Sequence, residues 1–372
     1  MSSVGQGGSG KAHRVTHLVT ALDHGGIEKL ILSFAEHAER RRFAVRVVAL
    51  TRGGALSSRL REAGVEVEEL GGRGLVGRVL RVSRSLRAQP PSILHTHNPG
   101  PHLVGALARR LVPIPVLVHT KHGRNVKGTV ASRLLRRWAL ASTDALVAVS
   151  RDAAEAEGHR ERLRAGQISV IWNGVDLGPE PAPRPRGSRA ICVARLNRIK
   201  DHETLLRAAR LVADRDPRFE LELVGDGAER ERVERIRDQL ELRDRVRLLG
   251  TLDDVRSRLA QANLFVMSSL SEGISLTVLE AMAAGLPAVV TAVGGNPEIV
   301  VEGVTGRLVP ARDPDTLASV LIEVLSDPAR AEEMGRAGRR RVAEHFDIRR
   351  MVREYEALYA RLLSESSVGR GA

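Results

Sequence analysis

The sequence predicts an α/β protein made of two doubly wound parallel-sheet domains in tandem, and three observations carry that expectation. Short apolar, β-branched runs alternate with amphipathic helical stretches, as in a parallel sheet covered by helices on both faces. Residues 177–188 (LGPEPAPRPRGS) interrupt the alternation with four prolines and two glycines, which neither a helix nor a central strand tolerates. The length of 372 residues suits about two domains, each with its own core.

In chain order, residues 1–13 open with small and polar side chains (MSSVGQGGSG) and read as a flexible tail without the apolar stretch of a secretory leader. Strands are expected at 14–21, 43–50, 65–70, 92–97, 116–120, 145–150 and 168–172, which build a first domain over 14–176. After the first of them, Ile27, Leu30, Ile31, Phe34, Ala35 and Ala38 recur at helical spacing, so a helix buries one face there. Residues 177–188 form the linker. The alternation restarts with strands near 189–194, 219–225, 246–249, 263–268 and 288–292 in a second domain over 189–346. The pattern is helical from about 313, and 347–372 contain a last amphipathic stretch, DIRRMVREYEALYARLL.

Composition narrows the function. Hydrophobic residues at 42% and charged residues at 28% exclude wholesale disorder. No apolar run reaches the roughly 18 residues that a membrane span needs. With neither a span nor a secretory leader, the expected compartment is the cytoplasm, and a single cysteine, Cys192, excludes an internal disulfide and a cysteine-based metal cluster. The net charge of +13 is lopsided: residues 1–180 carry 27 basic against 15 acidic side chains, and residues 181–372 carry 31 against 30. A bias towards arginine explains the choice of Arg over Lys but not the excess over acids, which points to an anionic partner for the first half. Nucleic acid is not the expected one, because nine aromatic residues in the whole chain offer no stacking platform.

Several motifs bear on chemistry. GQGGSGKA at 5–12 nearly matches a phosphate-binding loop, yet it precedes the first strand and puts Ala12 where the magnesium-binding hydroxyl belongs. GDGAER at 225–230 begins like a dinucleotide fingerprint but has Arg230 in the sixth place, and reads as a strand-to-helix turn. Gly25 and Gly26 follow the first strand and form either a phosphate cradle or an ordinary turn. Arg195 and Lys200 follow the first strand of the second half, where a guanidinium and an ammonium suit a diphosphate. Glu272 and Glu280, in EGISLTVLEAMAAGLPAVV, flank a helix start near Ser275, so two acids can hold hydroxyls while the helix N-terminus attracts phosphate.

Ten of the twelve histidines fall in the first 180 residues. His95 and His97 are expected to turn to opposite faces of their strand and so not to share a metal, and neither H-E-x-x-H nor cysteine supports a zinc site. RGLVGRVLRVSRSLR at 73–87 places five arginines among apolar residues, as a helix lying on an anionic membrane surface does, or as a packed helix with a solvated basic face does. RLLRRW at 133–138 adds three more.

Together, the E-x7-E element with AMAAGLP, the Arg195 and Lys200 pair, Gly25-Gly26, NGVD at 173–176 and GGNPEIV at 294–300 resemble the retaining glycosyltransferases of family 4 over about residues 14–363. The resemblance implies the GT-B fold, two Rossmann-like domains facing across a cleft, with the final helix crossing back onto the first domain. It implies a hexosyltransferase that moves a sugar from a nucleotide diphosphate sugar to an acceptor hydroxyl with retention of configuration, in polysaccharide or glycolipid synthesis. Arg195, Lys200 and the backbone of Gly25 and Gly26 would hold the donor diphosphate, and Glu280 the ribose. Glu272 with the amides of Gly273, Ile274 and Ser275 would face donor sugar and phosphate. In HTKHG at 119–123, His122 best matches the family histidine near the donor sugar, with His119 as its rival. No cofactor or metal is implied. The acceptor, a sugar or a lipid-linked glycan, would enter from the basic first domain, at the inner face of the membrane if lipid-linked. A sugar-nucleotide epimerase or sugar phosphorylase on the same fold is the rival reading.

Overall fold

In the computed structural model the described residues are 12–22, 26–54, 56–123, 130–161, 163, 167–185 and 187–368. Gly25 and the near phosphate-loop up to residue 11 lie outside them. The first half runs β1 (His13–Val19), α1 (Gly26–His37), β2 (Phe43–Ala49), α2 (Leu56–Glu62), β3 (Glu66–Glu69), α3 (Leu75–Ala88), β4 (Ile93–His97), α4 (Pro99–Ala108), β5 (Val116–Lys121), α5 (Val130–Ala141), β6 (Ala145–Ala148), α6 (Arg151–Glu161) and β7 (Ile168–Val170). The second runs β8 (Ser188–Val193), α7 (His202–Arg215), β9 (Phe219–Val224), α8 (Arg230–Gln239), β10 (Val246–Gly250), α9 (Val255–Gln261), β11 (Leu264–Met267), α10 (Leu276–Ala283), β12 (Ala288–Thr291), α11 (Asn296–Ile299), β13 (Gly306–Val309), α12 (Pro314–Ser326), α13 (Pro328–His345) and α14 (Ile348–Val368).

The seven-stranded sheet has the order β3-β2-β1-β4-β5-β6-β7 and the six-stranded one β10-β9-β8-β11-β12-β13, with every pair of neighbouring strands parallel. Both orders reverse direction once, between β1 and β4 and between β8 and β11. Crevices outside the carboxyl ends of strands at such reversals are where open α/β sheets take ligands. Central strands are buried on both faces, which is why they read as unbroken apolar runs: Val15, Leu18, Ile93, Leu117, Leu264 and Val266 are fully or almost fully enclosed. Each such side chain contributes about 1.5–3 kcal/mol by leaving water.

β13 (GRLV) is an addition to the expected strands. It is an edge strand whose Arg307 pairs with Glu302 and Glu323, so its polar side chain hides the alternation. The GDGAER stretch is the turn between β9 and α8, where a Cβ on Gly225 or Gly227 would meet the carbonyl oxygens of Ala194 or Leu196 at 2.1 and 2.3 Å. The glycines serve a close approach to the Arg195 backbone.

Two passages of chain join the halves and run side by side. Val175 N–H donates to the Phe346 carbonyl (2.9 Å) and Ile348 N–H to that of Val175 (3.1 Å), while a Cβ on Gly174 would sit 2.7 Å from the Ile348 Cα. The NGVD segment is thus the place where the outgoing and returning chains touch. Beyond it, α14 buries Met351, Val352, Tyr355 and Tyr359 in a cluster with Val15, Phe34, Phe43 and Val118 of the first half. Phe34 meets Tyr355 edge-on at 6.0 Å and Phe43 meets Tyr359 at 5.8 Å.

Candidate active site

The expected donor residues gather at the reversal of the second sheet. After β8, Arg195 is exposed and Asn197 caps a single 3₁₀ turn over Arg198–Lys200, its Oδ1 accepting from the N–H groups of Ile199 (3.1 Å) and Lys200 (3.2 Å). The loop after β11 is tied to that turn. Leu270 N–H donates to the Ile199 carbonyl at 2.7 Å, and the Ser268 hydroxyl to those of Lys200 and Asp201 at 3.1 and 2.8 Å. These anchors bring the Lys200 ammonium to 2.5 Å from Glu272 Oε1, both groups mostly shielded from water. An ammonium and a carboxylate so placed can serve one ligand at two points, phosphate at the first and hydroxyl at the second.

Glu272 leads into α10, whose N-cap Ser275 makes no side-chain cap bond, so the amides of its first turn keep their donors available. Ile274 and Ser275 are buried, and Glu280, partly buried, begins the second turn of the helix. Gly294 and Gly295 of the GGNPEIV motif press the loop from behind. A Cβ on Gly294, which has φ of 56°, would lie 2.0 Å from the Glu272 oxygen, and one on Gly295 would lie 2.2 Å from that of Gly273. Only glycine permits that packing.

From the other side, the first half reaches the same loop. A Cβ on Gly273 would lie 2.6 Å from the His122 carbonyl oxygen, so the two halves touch there. Asn173 Nδ2 donates to the Ile274 carbonyl at 3.4 Å. Glu298 on α11 accepts from the N–H groups of Arg151 and Asp152 and from Trp172 Nε1, each at 2.9 Å, and so caps α6 across the cleft. Sequence reasoning missed this acid, whose partners appear only when the halves meet. Of the glycine pair, Gly26 is the first residue of α1.

His122 follows β5, partly buried, and abuts Gly273. Its rival His119 is buried on the helix-covered side, stacked at 3.9 Å on His102 and hydrogen-bonded to Thr96. A small cavity beside them is also lined by Lys121, which pairs with the buried Glu157, and by Arg136, neither singled out from sequence.

The expectation that His95 and His97 face opposite ways is wrong. Residues two apart on a strand share a face, and the two rings lie 4.2 Å apart between centroids. With His17, directly opposite His95 on β1, they place one nitrogen each within 4.8 Å of the others, a spacing that a metal ion can use. Five of the six nitrogens are instead engaged, those of His95 with Tyr359 (2.6 Å) and Thr120 (2.7 Å) and those of His97 with His17 Nδ1 (3.0 Å) and His122 (2.9 Å), which leaves His17 Nε2 without a partner. Burial holds the rings neutral, taking the pKa of His17 to about 3 and that of His122 to about 4, with His95 and His97 well below the ordinary value. Burial likewise pushes the Cys192 thiol up to about 12, so it is no nucleophile.

Sequence comparisons agree with this architecture. Residues 24–178 match the family model described as Glycosyltransferase Family 4, and residues 181–341 that described as Glycosyl transferases group 1. The chain is 30% identical over 295 residues to the N-acetyl-alpha-D-glucosaminyl L-malate synthase of Bacillus anthracis, covering 75% of this chain and 77% of that one. It is 27% identical over 303 residues to the UDP-Gal:alpha-D-GlcNAc-diphosphoundecaprenol alpha-1,3-galactosyltransferase of Escherichia coli, covering 76% and 78%. Among solved structures, Anabaena HepE in complex with UDP and glucose superposes with a TM-score of 0.81 at 20% identity, over 93% of this chain and 99% of that one. The chain belongs to glycosyltransferase family 4. It is a glycosyltransferase of the GT-B fold.

Proposed function

We propose that the enzyme transfers a sugar from a nucleotide diphosphate sugar to an acceptor hydroxyl with retention of configuration. The observation that carries this reading is the juxtaposition of Lys200 with Glu272 on a loop that touches His122 from the opposite domain. In this mechanism Arg195, Lys200 and the open amides at the start of α10 meet the negative charge that grows on the departing diphosphate, so the stabilisation is aimed at the transition state. Glu280 holds the ribose, and Glu272 holds a hydroxyl of the donor sugar. Retention follows if the acceptor hydroxyl attacks from the face the diphosphate leaves. No metal ion is required, because cationic side chains take its place at the diphosphate. Two relatives support the donor and acceptor classes: HepE binds UDP, and the Escherichia coli enzyme acts on a lipid diphosphate. A lipid-linked glycan is the acceptor we favour, with the basic first domain at an anionic membrane surface; among the described residues, no helix is long and apolar enough to cross one.

The test is a thermal-shift screen of UDP, GDP and ADP sugars, followed by product analysis with and without acceptor. A bound donor at 100 times its dissociation constant stabilises by about 2.7 kcal/mol. One nucleotide class is expected to stabilise the protein and to be consumed only when acceptor is present, in excess EDTA as well as without it. Loss of activity in EDTA with rescue by a divalent ion overturns the metal-free mechanism. Turnover without acceptor favours an epimerase.

A further inference from the structure

The imidazoles of His17, His97 and His122 form one hydrogen-bonded file that leads from the interior of the first sheet to the residue whose backbone carbonyl abuts the loop carrying Glu272. His17 Nδ1 lies 3.0 Å from His97 Nε2, and His97 Nδ1 lies 2.9 Å from His122 Nε2. At the inner end, His17 Nε2 is buried and has no hydrogen-bond partner. At the outer end, His122 Nδ1 has none among the described residues, and the backbone carbonyl of the same residue lies against Gly273. We propose that His17 and His97 are positioning residues that fix the tautomer of His122, keeping its proton on Nδ1 so that the ring retains one N–H donor outside the file.

The argument is an accounting of protons. Three neutral rings carry three N–H groups and share two internal hydrogen bonds, so the file can run in only two directions. In one, His17 donates to His97, His97 donates to His122, and His122 keeps Nδ1–H outside the file, leaving a bare lone pair at His17 Nε2. In the other, every bond is reversed and His17 Nε2–H becomes an orphaned buried donor, the rarest kind of unsatisfied group in native proteins. The phenyl ring packed against it, Phe34 at 5.3 Å between centroids, is only a weak acceptor. The first direction is therefore favoured. The rings stay neutral because burial, the largest cause, opposes their protonation. Their titratable neighbours are His95 on β4, His119 on β5 stacked on His102 of α4, and the hydroxyls of Tyr355 and Tyr359 on α14, themselves held protonated by burial. No carboxylate is hydrogen-bonded to the three rings among the described residues, so nothing there supplies the charge that would hold an imidazolium.

This inference rests on the reading of His122 as a donor-site residue, and its test keeps the two separable. Nitrogen NMR of the ligand-free protein with labelled histidines reads the protonated ring atom directly, with assignment by single substitution. The expected result is a non-protonated Nε2 and a protonated Nδ1 on His122, unchanged by excess EDTA. His97→Leu should let the Nε2–H form appear and lower kcat about tenfold, as loss of one oriented hydrogen bond does, with nucleotide affinity unaltered. His97→Asn, whose amide can still donate to His122, should restore the tautomer and most of the turnover. A proton on Nε2 of wild-type His122 overturns the proposal, as does an unchanged tautomer in His97→Leu. If that variant does not fold, the wild-type spectrum and His97→Asn still decide. Resonances that shift when EDTA is added overturn it in favour of a metal held by His17, His95 and His97. A tautomer that moves as expected while His122→Ala keeps full activity sustains the file and removes His122 from the donor site.

Discussion

Glu272 and Glu280 are eight positions apart, yet their surroundings assign them different work. Glu272 stands against Lys200 on a loop wedged between His122 and the Gly294-Gly295 turn, whereas Glu280 stands on α10 beyond the open amides. Glu280→Gln is expected to weaken nucleotide binding by about 1.5–3 kcal/mol, the worth of a hydrogen bond to a charged group, as read by calorimetry. Glu272→Gln is expected to act mainly on turnover, because the proposed mechanism puts its carboxylate at the donor sugar. Equal nucleotide affinity in wild type and Glu280→Gln would sink this division.

At the scale of elements, α3 tests the membrane proposal. The helix buries Val79, Val82 and Leu86 against the sheet while Leu75, Val76 and Leu80 stand exposed, Val76 at 72%, beside Arg78, Arg81 and Arg84. That pattern is a packed helix and a candidate membrane contact at once, which is why sequence alone left both open. Binding to anionic liposomes is expected at low salt and should fall steeply towards 1 M, as the Debye length shrinks from about 10 Å at 0.1 M to about 3 Å. Replacing the three arginines by Glu should weaken co-sedimentation while leaving nucleotide binding intact. No binding at low salt returns α3 to the soluble reading. The strands were legible for a simple reason: a strand buried on both faces is an apolar run, and twelve of the thirteen observed strands were expected within a residue or two. β13 escaped because Arg307 breaks its short run. The histidine file escaped because it needs the register of β1, β4 and the end of β5 together, in addition to the period of one strand. The cap from Glu298 to α6 likewise belongs to no local pattern.

The whole molecule carries an acid liability written in its histidines. His17, His95, His97, His102, His119, His122 and His202 are all held below their ordinary pKa, chiefly by burial. Above pH 6.5 these rings are neutral in folded and unfolded chains alike and cost nothing. Below it the unfolded chain binds protons that the fold excludes, so stability falls by about 1.4 kcal/mol per pH unit for each ring until its folded pKa is reached, near 4 for His102, His122 and His202. The histidine contribution should therefore be level from pH 7 to 8, and denaturant midpoints should drop steeply between pH 6 and 4.5. A midpoint unchanged at pH 5 would contradict the neutral, buried state of the cluster.

In the proposed mechanism Arg195 and Lys200 hold the donor diphosphate at the reversal of the second sheet, across from His122. Its most direct test is the rate of sugar transfer by Arg195→Ala and Lys200→Ala, with folding checked by thermal denaturation. Each substitution removes a charge-assisted contact worth about 1.5–3 kcal/mol, so transfer should slow by roughly 10 to 150 fold while the proteins remain folded. Near-normal transfer by both variants would contradict the account.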